Sequence, residues 1–220
     1  MILIAISIAA LIAIAMRGSL LGPLPAAELR PLDLPAHDAD GDDETAPLAA
    51  IPFYGEAIEG DAFFWCLDRS CSMGWDGDLD RLKLELRAAI EALPERCELG
   101  LVAFAGGFEA WKPAPVAATP ENRAAAIAWV DALRAEGGSI LERAAVATVQ
   151  LSRLSAGARK RIIIVTGHLQ DRSEALARIT GANLESTPID GILTEPFLEE
   201  MSLLEKLAAM NGGVVRGVEE

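Results

Sequence analysis

Three oxygen-bearing side chains stand close together directly after an apolar segment of the chain. Asp68, Ser70 and Ser72 follow residues 63–67 (FFWCL), a run typical of a strand buried on both faces. One carboxylate and two hydroxyls present only oxygen ligands, which suit a hard cation such as Mg²⁺ that prefers six oxygens and keeps several waters. The sequence therefore predicts a divalent-cation site on the loop after this strand, although the same residues also suit a simple local turn.

Two later segments carry further polar residues where they could join such a site. Ser139 follows two glycines and begins Ser-Ile-Leu-Glu, which has the form of a capping box, so a helix is predicted to begin there. Thr166 ends the strongest strand signal of the chain, residues 161–166, and leads into Gly167. In open parallel sheets ligands bind at the loops that leave the carboxyl ends of the strands. We therefore expect Asp68, Ser139 and Gly167 on loops at one edge of a sheet.

The elements that would position these loops alternate along the chain. Strands alternating with helices of this length predict an α/β fold that is doubly wound, with a mostly parallel central sheet and helices on both faces. One antiparallel edge strand is expected near residues 108–111. One helix is predicted from an apolar stripe over 79–93 that stops before Pro94, and a second from an N-cap at Thr119 followed by Pro120. Further helices are predicted to begin near residues 139, 171 and 197. Further strands are predicted at 99–104, 189–194 and 214–215.

These motifs, in this order, resemble the von Willebrand factor type A (vWA) family and its metal-ion-dependent adhesion site. The resemblance rests on Asp68-x-Ser70-x-Ser72 after an apolar strand, on Gly-Gly-Ser139 before a helix, and on a hydrophobic strand that ends at Thr166. The closing segment 203–215 is also similar to the last helix and strand of that family. The resemblance covers residues from about 63 to 218 and implies a binding module rather than an enzyme.

The resemblance also implies a set of metal ligands. In the family, an Asp and two Ser of the first loop, a Thr of the second loop and an Asp of the third loop surround a divalent cation, and a partner's carboxylate completes its coordination. Asp68, Ser70 and Ser72 match, and Ser139 keeps the hydroxyl of the usual Thr. Gly167 stands where the family has Asp, so a degenerate site with weak or no binding of Mg²⁺ or Mn²⁺ is expected. Asp171, four residues further on, could partly replace it.

Two alternative functions follow from the same loops. Cys71 and His168 would approach each other if the loops converge, and such a pair could serve as nucleophile and base or bind a soft metal. A degenerate structural domain that binds no cation is the other alternative. The sequence has no phosphate-binding loop, dinucleotide glycine pattern, zinc-ligand set or nucleophile elbow, which favours a protein-binding module without catalytic residues.

The amino-terminal part of the chain predicts a membrane association. Residues 1–21 are apolar apart from Arg17 and three small residues, and suit either a helical transmembrane anchor or a cleaved signal segment. Residues 22–61 are rich in Pro, Ala and Asp and are expected to form a linker; an acidic tract at 38–44 lacks the glycine and glutamate spacing of an EF-hand loop. The vWA domain is then expected over 62–220, membrane-anchored or exported.

The charge of the chain restricts its partners. A formal charge of −14 on 220 residues gives no clustered Lys and Arg to neutralise phosphates, so a nucleic-acid partner is disfavoured. Three cysteines without metal-ligand spacing leave the redox compartment undetermined. The expected partners are a protein and, through the amino-terminal segment, a membrane.

Overall fold

The computed structural model of the chain describes residues 47–167, 173–194 and 198–218. They contain nine strands and five α-helices, and the strands that pair in parallel are separated along the chain by helices, as the sequence predicts. The strands are β1 (Ala49–Phe53), β2 (Glu56–Gly60), β3 (Ala62–Asp68), β4 (Glu98–Phe104), β5 (Phe108–Ala110), β6 (Val116–Ala117), β7 (Lys160–Thr166), β8 (Ile189–Leu193) and β9 (Val215–Gly217). The helices are α1 (Asp78–Ala92), α2 (Pro120–Ala132), α3 (Leu141–Ser152), α4 (Ser173–Ala182) and α5 (Leu198–Met210), with a 3₁₀ turn at Cys71–Gly74.

Seven strands form the central sheet, in the order β5-β4-β3-β7-β8-β9, with β6 also paired to β4. The pairs β4-β3, β3-β7, β7-β8 and β8-β9 are parallel, whereas β5 and β6 run antiparallel to β4 at the outer edge. This confirms the mostly parallel sheet and its antiparallel edge strand near residue 108. Strand order reverses beside β3, so the crevice at the carboxyl end of β3 is the position where open α/β sheets bind ligands.

Helices cover both faces of the sheet, which explains why β3 is apolar throughout. Alternate side chains of a strand point to opposite faces, and all seven residues of β3 are buried. Phe63, Trp65 and Leu67 pack against α1 and α2 on one face, and Phe64 and Cys66 pack against α3, α4 and α5 on the other. The doubly wound arrangement of the described residues follows from this two-sided burial.

The linker expected over 22–61 is wrong for residues 49–60, which form the hairpin β1-β2. Tyr54 and Gly55 have φ angles of 49° and 79°, the two positive values that a two-residue type I′ turn requires. Ile51 and Phe53 of β1 and Ile58 of β2 point to one side and are buried against the α1 face of the sheet. The Pro- and Ala-rich composition concealed this alternation, so the domain begins before residue 62.

The amino-terminal predictions lie outside the described residues. The apolar segment 1–21 and the acidic tract at 38–44 precede residue 47, where the description begins. Among the helices of the described residues, none has the length and apolar character needed to cross a membrane.

The buried hairpin should contribute to the stability of the domain. Phe53 is fully buried and meets Trp65 edge to face, with the ring centroids 6.4 Å apart. We expect Phe53→Ala to lower the free energy of unfolding by about 3 to 5 kcal/mol, measured by denaturant unfolding, because it removes apolar contacts and leaves a cavity. Leu84→Ala is the matched control, since Leu84 is 68% exposed. Equal effects of the two substitutions would contradict the packed hairpin.

Candidate functional site

The carboxylate of Asp68 lies at the carboxyl end of the central strand and joins three segments of the chain. Its Oδ1 accepts a hydrogen bond from the backbone N–H of Ser70 at 2.7 Å. Its Oδ2 accepts hydrogen bonds from the hydroxyls of Ser139 at 3.0 Å and Thr166 at 2.7 Å. Asp68 and Thr166 are fully buried, and Ser70 and Ser139 nearly so. The three loops therefore converge as the sequence predicts.

Backbone hydrogen bonds fix the first loop against the second. The N–H of Cys71 donates to the carbonyl of Gly137 at 3.1 Å, and the N–H of Glu136 donates to the carbonyl of Arg69 at 2.8 Å. Gly137 has a φ of 69°, and a Cβ there would lie 3.2 Å from the backbone nitrogen of Gly106. This left-handed conformation beside a neighbouring backbone requires glycine.

The role predicted for Ser139 as a helix cap is wrong. Helix α3 begins at Leu141, and its N-cap position is Ile140, which makes no side-chain capping bond. The Ser139 hydroxyl instead donates to Asp68, a residue 71 positions earlier in the chain. A buried carboxylate offers a charged acceptor, which gives a stronger hydrogen bond than a neutral one. The Ser139 hydroxyl thus joins the second loop to the central strand.

The two serines of the first loop add further oxygens. The hydroxyls of Ser70 and Ser72 lie 3.1 Å apart, and Ser72 is only partly buried. Ser72 lies in the 3₁₀ turn Cys71–Gly74, which begins directly after Ser70. Asp68, Ser70, Ser72, Ser139 and Thr166 thus form a cluster of one carboxylate and four hydroxyls, which we call the hydroxyl cluster. Thr166 was not among the metal ligands expected from the sequence, although its place at the end of a strand beside β3 puts it at the same edge.

The composition of the hydroxyl cluster fits a hard divalent cation. All donors are oxygens, as Mg²⁺ and Mn²⁺ prefer, and no Lys or Arg among the described residues acts on the Asp68 carboxylate. In the same part of the chain, no three His, Cys, Asp or Glu side chains come together as a metal site. Within the hydroxyl cluster itself, Asp68 is the one charged group that could bind a cation.

Burial changes the acidity of Asp68. Desolvation raises the pKa of this carboxyl above its usual value, while the hydrogen bonds from Ser70, Thr166 and Ser139 act in the opposite direction. The net direction is upward because the charged form loses most of its contact with water. In the folded domain without a cation, the negative charge of Asp68 is thus held at a cost.

The third loop lacks a carboxylate where the resemblance leads one to expect it. Gly167 follows Thr166, and a Cβ built on it would lie 3.0 Å from the sulfur of Met73, 3.4 Å from the Thr194 hydroxyl and 4.0 Å from Oδ2 of Asp78. The Thr194 hydroxyl donates to Asp78 at 2.7 Å. The side of Gly167 is therefore lined by a thioether, a hydroxyl and a carboxylate, none of which the sequence analysis assigned to the site.

The remaining candidates of the third loop are not described. His168 and Asp171 lie outside the described residues, so the pairing of Cys71 with His168 and the replacement role of Asp171 stay predictions. Cys71 is a free and exposed thiol on the first loop.

Exposed apolar side chains lie on or next to the loops that carry the hydroxyl cluster. Trp75 is 72% exposed and follows the 3₁₀ turn, while Phe108 and Ile140 are 47% and 48% exposed. Phe108, Ile140 and Arg143 line a shallow cavity of about 400 Å³ together with Gly106 and Gly107. Exposed apolar side chains that line a concave surface are typical of a surface that contacts a partner.

Comparisons with known proteins agree with this fold. No protein-family model matches the sequence, and no curated protein matches it. Several solved structures are similar in fold. A von Willebrand factor type A protein from Catenulispora acidiphila is 23% identical in sequence, with a TM-score of 0.66, and the match covers 74% of this chain and 40% of that protein. BatB from Bacteroides thetaiotaomicron has 14% identity and a TM-score of 0.61, over 73% of this chain and 91% of BatB. The PilB minor pilin from Streptococcus sanguinis has 14% identity and a TM-score of 0.58, over 76% and 59%.

The described domain therefore has the fold of a vWA domain, as the motifs of the three loops predict. The chain spans less than half the length of the Catenulispora acidiphila protein. At these identities, the likeness concerns the fold.

The burial of Asp68 should make stability depend on pH. Because its pKa is raised in the folded state, its contribution to stability is fully present below the unfolded value of about 3.9 and is lost as the pH rises through the folded value. The substitution Asp68→Asn removes the group that ionises, so this loss of stability with rising pH should disappear. The hydroxyls of Ser139 and Thr166 can rotate to accept hydrogen bonds from the new amide. With a chelator present, we expect Asp68→Asn to raise the melting temperature at pH 7 and to have less effect near pH 4.

The control for this measurement is Asp80→Asn, because the side chain of Asp80 is 86% exposed. Its melting temperature should follow that of the unmodified chain across the same pH range. A constant difference between the unmodified chain and Asp68→Asn at every pH would contradict the raised pKa.

Proposed function

We propose that this chain is a binding module that captures a protein partner at the carboxyl edge of its sheet and has no catalytic activity. The observation that carries the proposal is the convergence of a buried carboxylate, Asp68, with four hydroxyls at the point where strand order reverses. Trp75, Phe108 and Ile140 offer exposed apolar area beside it. Domains of this fold often mediate protein–protein interaction.

The proposed site holds Mg²⁺ or Mn²⁺ weakly, with Asp68, Ser70, Ser72 and Ser139 as ligands and Thr166 orienting the carboxylate. The oxygen-only donor set supports this assignment, as does the lack of a cationic side chain on Asp68 among the described residues. A cation bound here would offer an open position to an anionic oxygen of the partner. A single carboxylate is a poor counter-charge for a dication, which is why weak binding is proposed.

A second candidate function is a structural vWA domain that binds no cation. Both oxygens of Asp68 already accept hydrogen bonds, from the backbone of Ser70 and from the hydroxyls of Ser139 and Thr166. These bonds lower the cost of burying the carboxylate without a metal. In that case the partner would contact the apolar surface around Phe108 and Ile140 alone.

We also propose that residues 1–21 attach the domain to a membrane, or direct its export if they are cleaved. The apolar sequence of this segment supports the proposal. The core of the described residues is built from residue 49 onward, so we expect the domain to fold without the segment.

The missing carboxylate provides a direct test of the cation site. We expect Mg²⁺ to raise the melting temperature of the unmodified chain little, and that of Gly167→Asp more, because binding to the native state stabilises it by mass action. A tenfold gain in affinity corresponds to about 1.4 kcal/mol. The gain should be absent in Gly167→Asn, which adds a similar volume without charge, and should vanish when Asp68→Ala is added to Gly167→Asp.

Two results would refute this account of a degraded cation site. One is tight binding of Mg²⁺ by the unmodified chain with no gain in Gly167→Asp. The other is a gain in Gly167→Asn as large as that in Gly167→Asp. The Cβ of either substitution requires the flexible Met73 side chain to move by a few tenths of an ångström, so both variants meet the same steric demand.

The membrane proposal is tested by deleting residues 1–22. We expect the full chain in the membrane fraction and the shortened chain in the soluble fraction as a monomer with cooperative unfolding. Fractionation and sedimentation, followed by denaturant unfolding, measure the two properties. Aggregation of the shortened chain, or its continued association with membranes, would count against the proposal.

A further inference from the structure

A carboxylate already lies beside the position where the third-loop Asp would be. A Cβ on Gly167 would be 4.0 Å from Oδ2 of Asp78, the first residue of α1. Asp78 is ten positions after Asp68 in the sequence, and no motif connects the two. The fold brings them to the same edge because α1 starts directly after the loop that carries Ser70 and Ser72.

A continuous set of hydrogen bonds holds Asp78 in place relative to the hydroxyl cluster. The Thr194 hydroxyl donates to Asp78 Oδ2 at 2.7 Å, and the Thr194 backbone N–H donates to the carbonyl of Thr166 at 3.1 Å. Thr166 in turn donates its hydroxyl to Asp68. These hydrogen bonds thus link the two carboxylates through Thr166 and Thr194. Asp78 is half-buried and forms no ion pair within the described residues.

We propose that Asp78 supplies the second negative charge of the cation site, in place of the Asp that Gly167 lacks. This inference rests on the proposed cation site. The Met73 sulfur and the Thr194 hydroxyl also line the space beside Gly167. The Asp78 carboxylate therefore attracts the cation through its charge and does not bind it directly. Hard cations keep several of their waters, so a carboxylate need not touch the ion to favour its binding.

A purely structural role for Asp78 predicts a different result. A carboxylate in the first turn of a helix stabilises that helix, and Asp78 also accepts the hydrogen bond of Thr194. Asp78→Asn keeps an oxygen acceptor for Thr194 and removes only the charge. Asp78→Glu keeps the charge and moves it. If Asp78→Asn loses cation affinity and Asp78→Glu keeps it, the negative charge of residue 78 is the cause, and not a change in the fold of the loop.

The experiment is a calorimetric titration of the full chain with Mn²⁺. We expect Asp78→Asn to lower the affinity about tenfold, and Asp78→Glu to keep it within about threefold of the unmodified chain. Asp80→Asn is the matched control on the same turn of α1, with an exposed side chain, and should change nothing. Gly167→Asp combined with Asp78→Asn should restore the affinity, since it returns the second charge. Melting temperatures without metal confirm that each variant is folded.

The outcomes separate this inference from the proposed function. If Asp68→Ala abolishes Mn²⁺ binding and Asp78→Asn binds as the unmodified chain does, the cation site stands and the role of Asp78 is refuted. If Asp78→Glu loses as much affinity as Asp78→Asn, the charge is not the cause and the inference is overturned. If neither the unmodified chain nor Asp68→Ala binds Mn²⁺, the proposed cation site is refuted, and the inference about Asp78 is refuted with it.

Discussion

The carboxylate of Asp68 is the group on which the arrangement of the carboxyl edge depends. Burying a charge is costly unless hydrogen bonds compensate it, and here the donors come from three separate segments, at Ser70, Ser139 and Thr166. Each segment can satisfy the carboxylate only if its own strand or helix is correctly placed. Together with the backbone hydrogen bonds between the first two loops, this carboxylate holds the three loops at one edge of the sheet.

The sequence predicted the elements that are apolar enough to be recognised locally. The two-sided burial of β3 and β7 leaves uninterrupted apolar runs, and the stripe of α1 repeats at helical spacing. The hairpin β1-β2 was missed because its inward residues alternate with Pro52, Ala50 and charged residues, and the average composition resembles a linker. Its turn residues Tyr54 and Gly55 were the readable signal.

Site residues were predictable only where the local pattern was specific. Asp68, Ser70 and Ser72 form one short motif, and the structure brings Ser139 to them. The capping-box prediction for Ser139 was wrong because the helix begins at Leu141 with Ile140 as its N-cap, so Ser139 lies one position before the cap. Asp78 was not predictable, since its place beside Gly167 depends on how α1 packs against the sheet and on Thr194, which is more than one hundred positions away.

The position of β3 at the centre of the sheet also has a consequence for folding. Its partner β7 lies about a hundred residues later, as the separation of 98 between Asp68 and Thr166 shows. Contacts between such distant residues form slowly, because a large loop must close first. Until β7 pairs with it, the run Phe63–Leu67 presents an open apolar edge that other chains can join. We therefore expect nascent copies that emerge close together to be vulnerable to aggregation until β7 has left the ribosome and paired with β3.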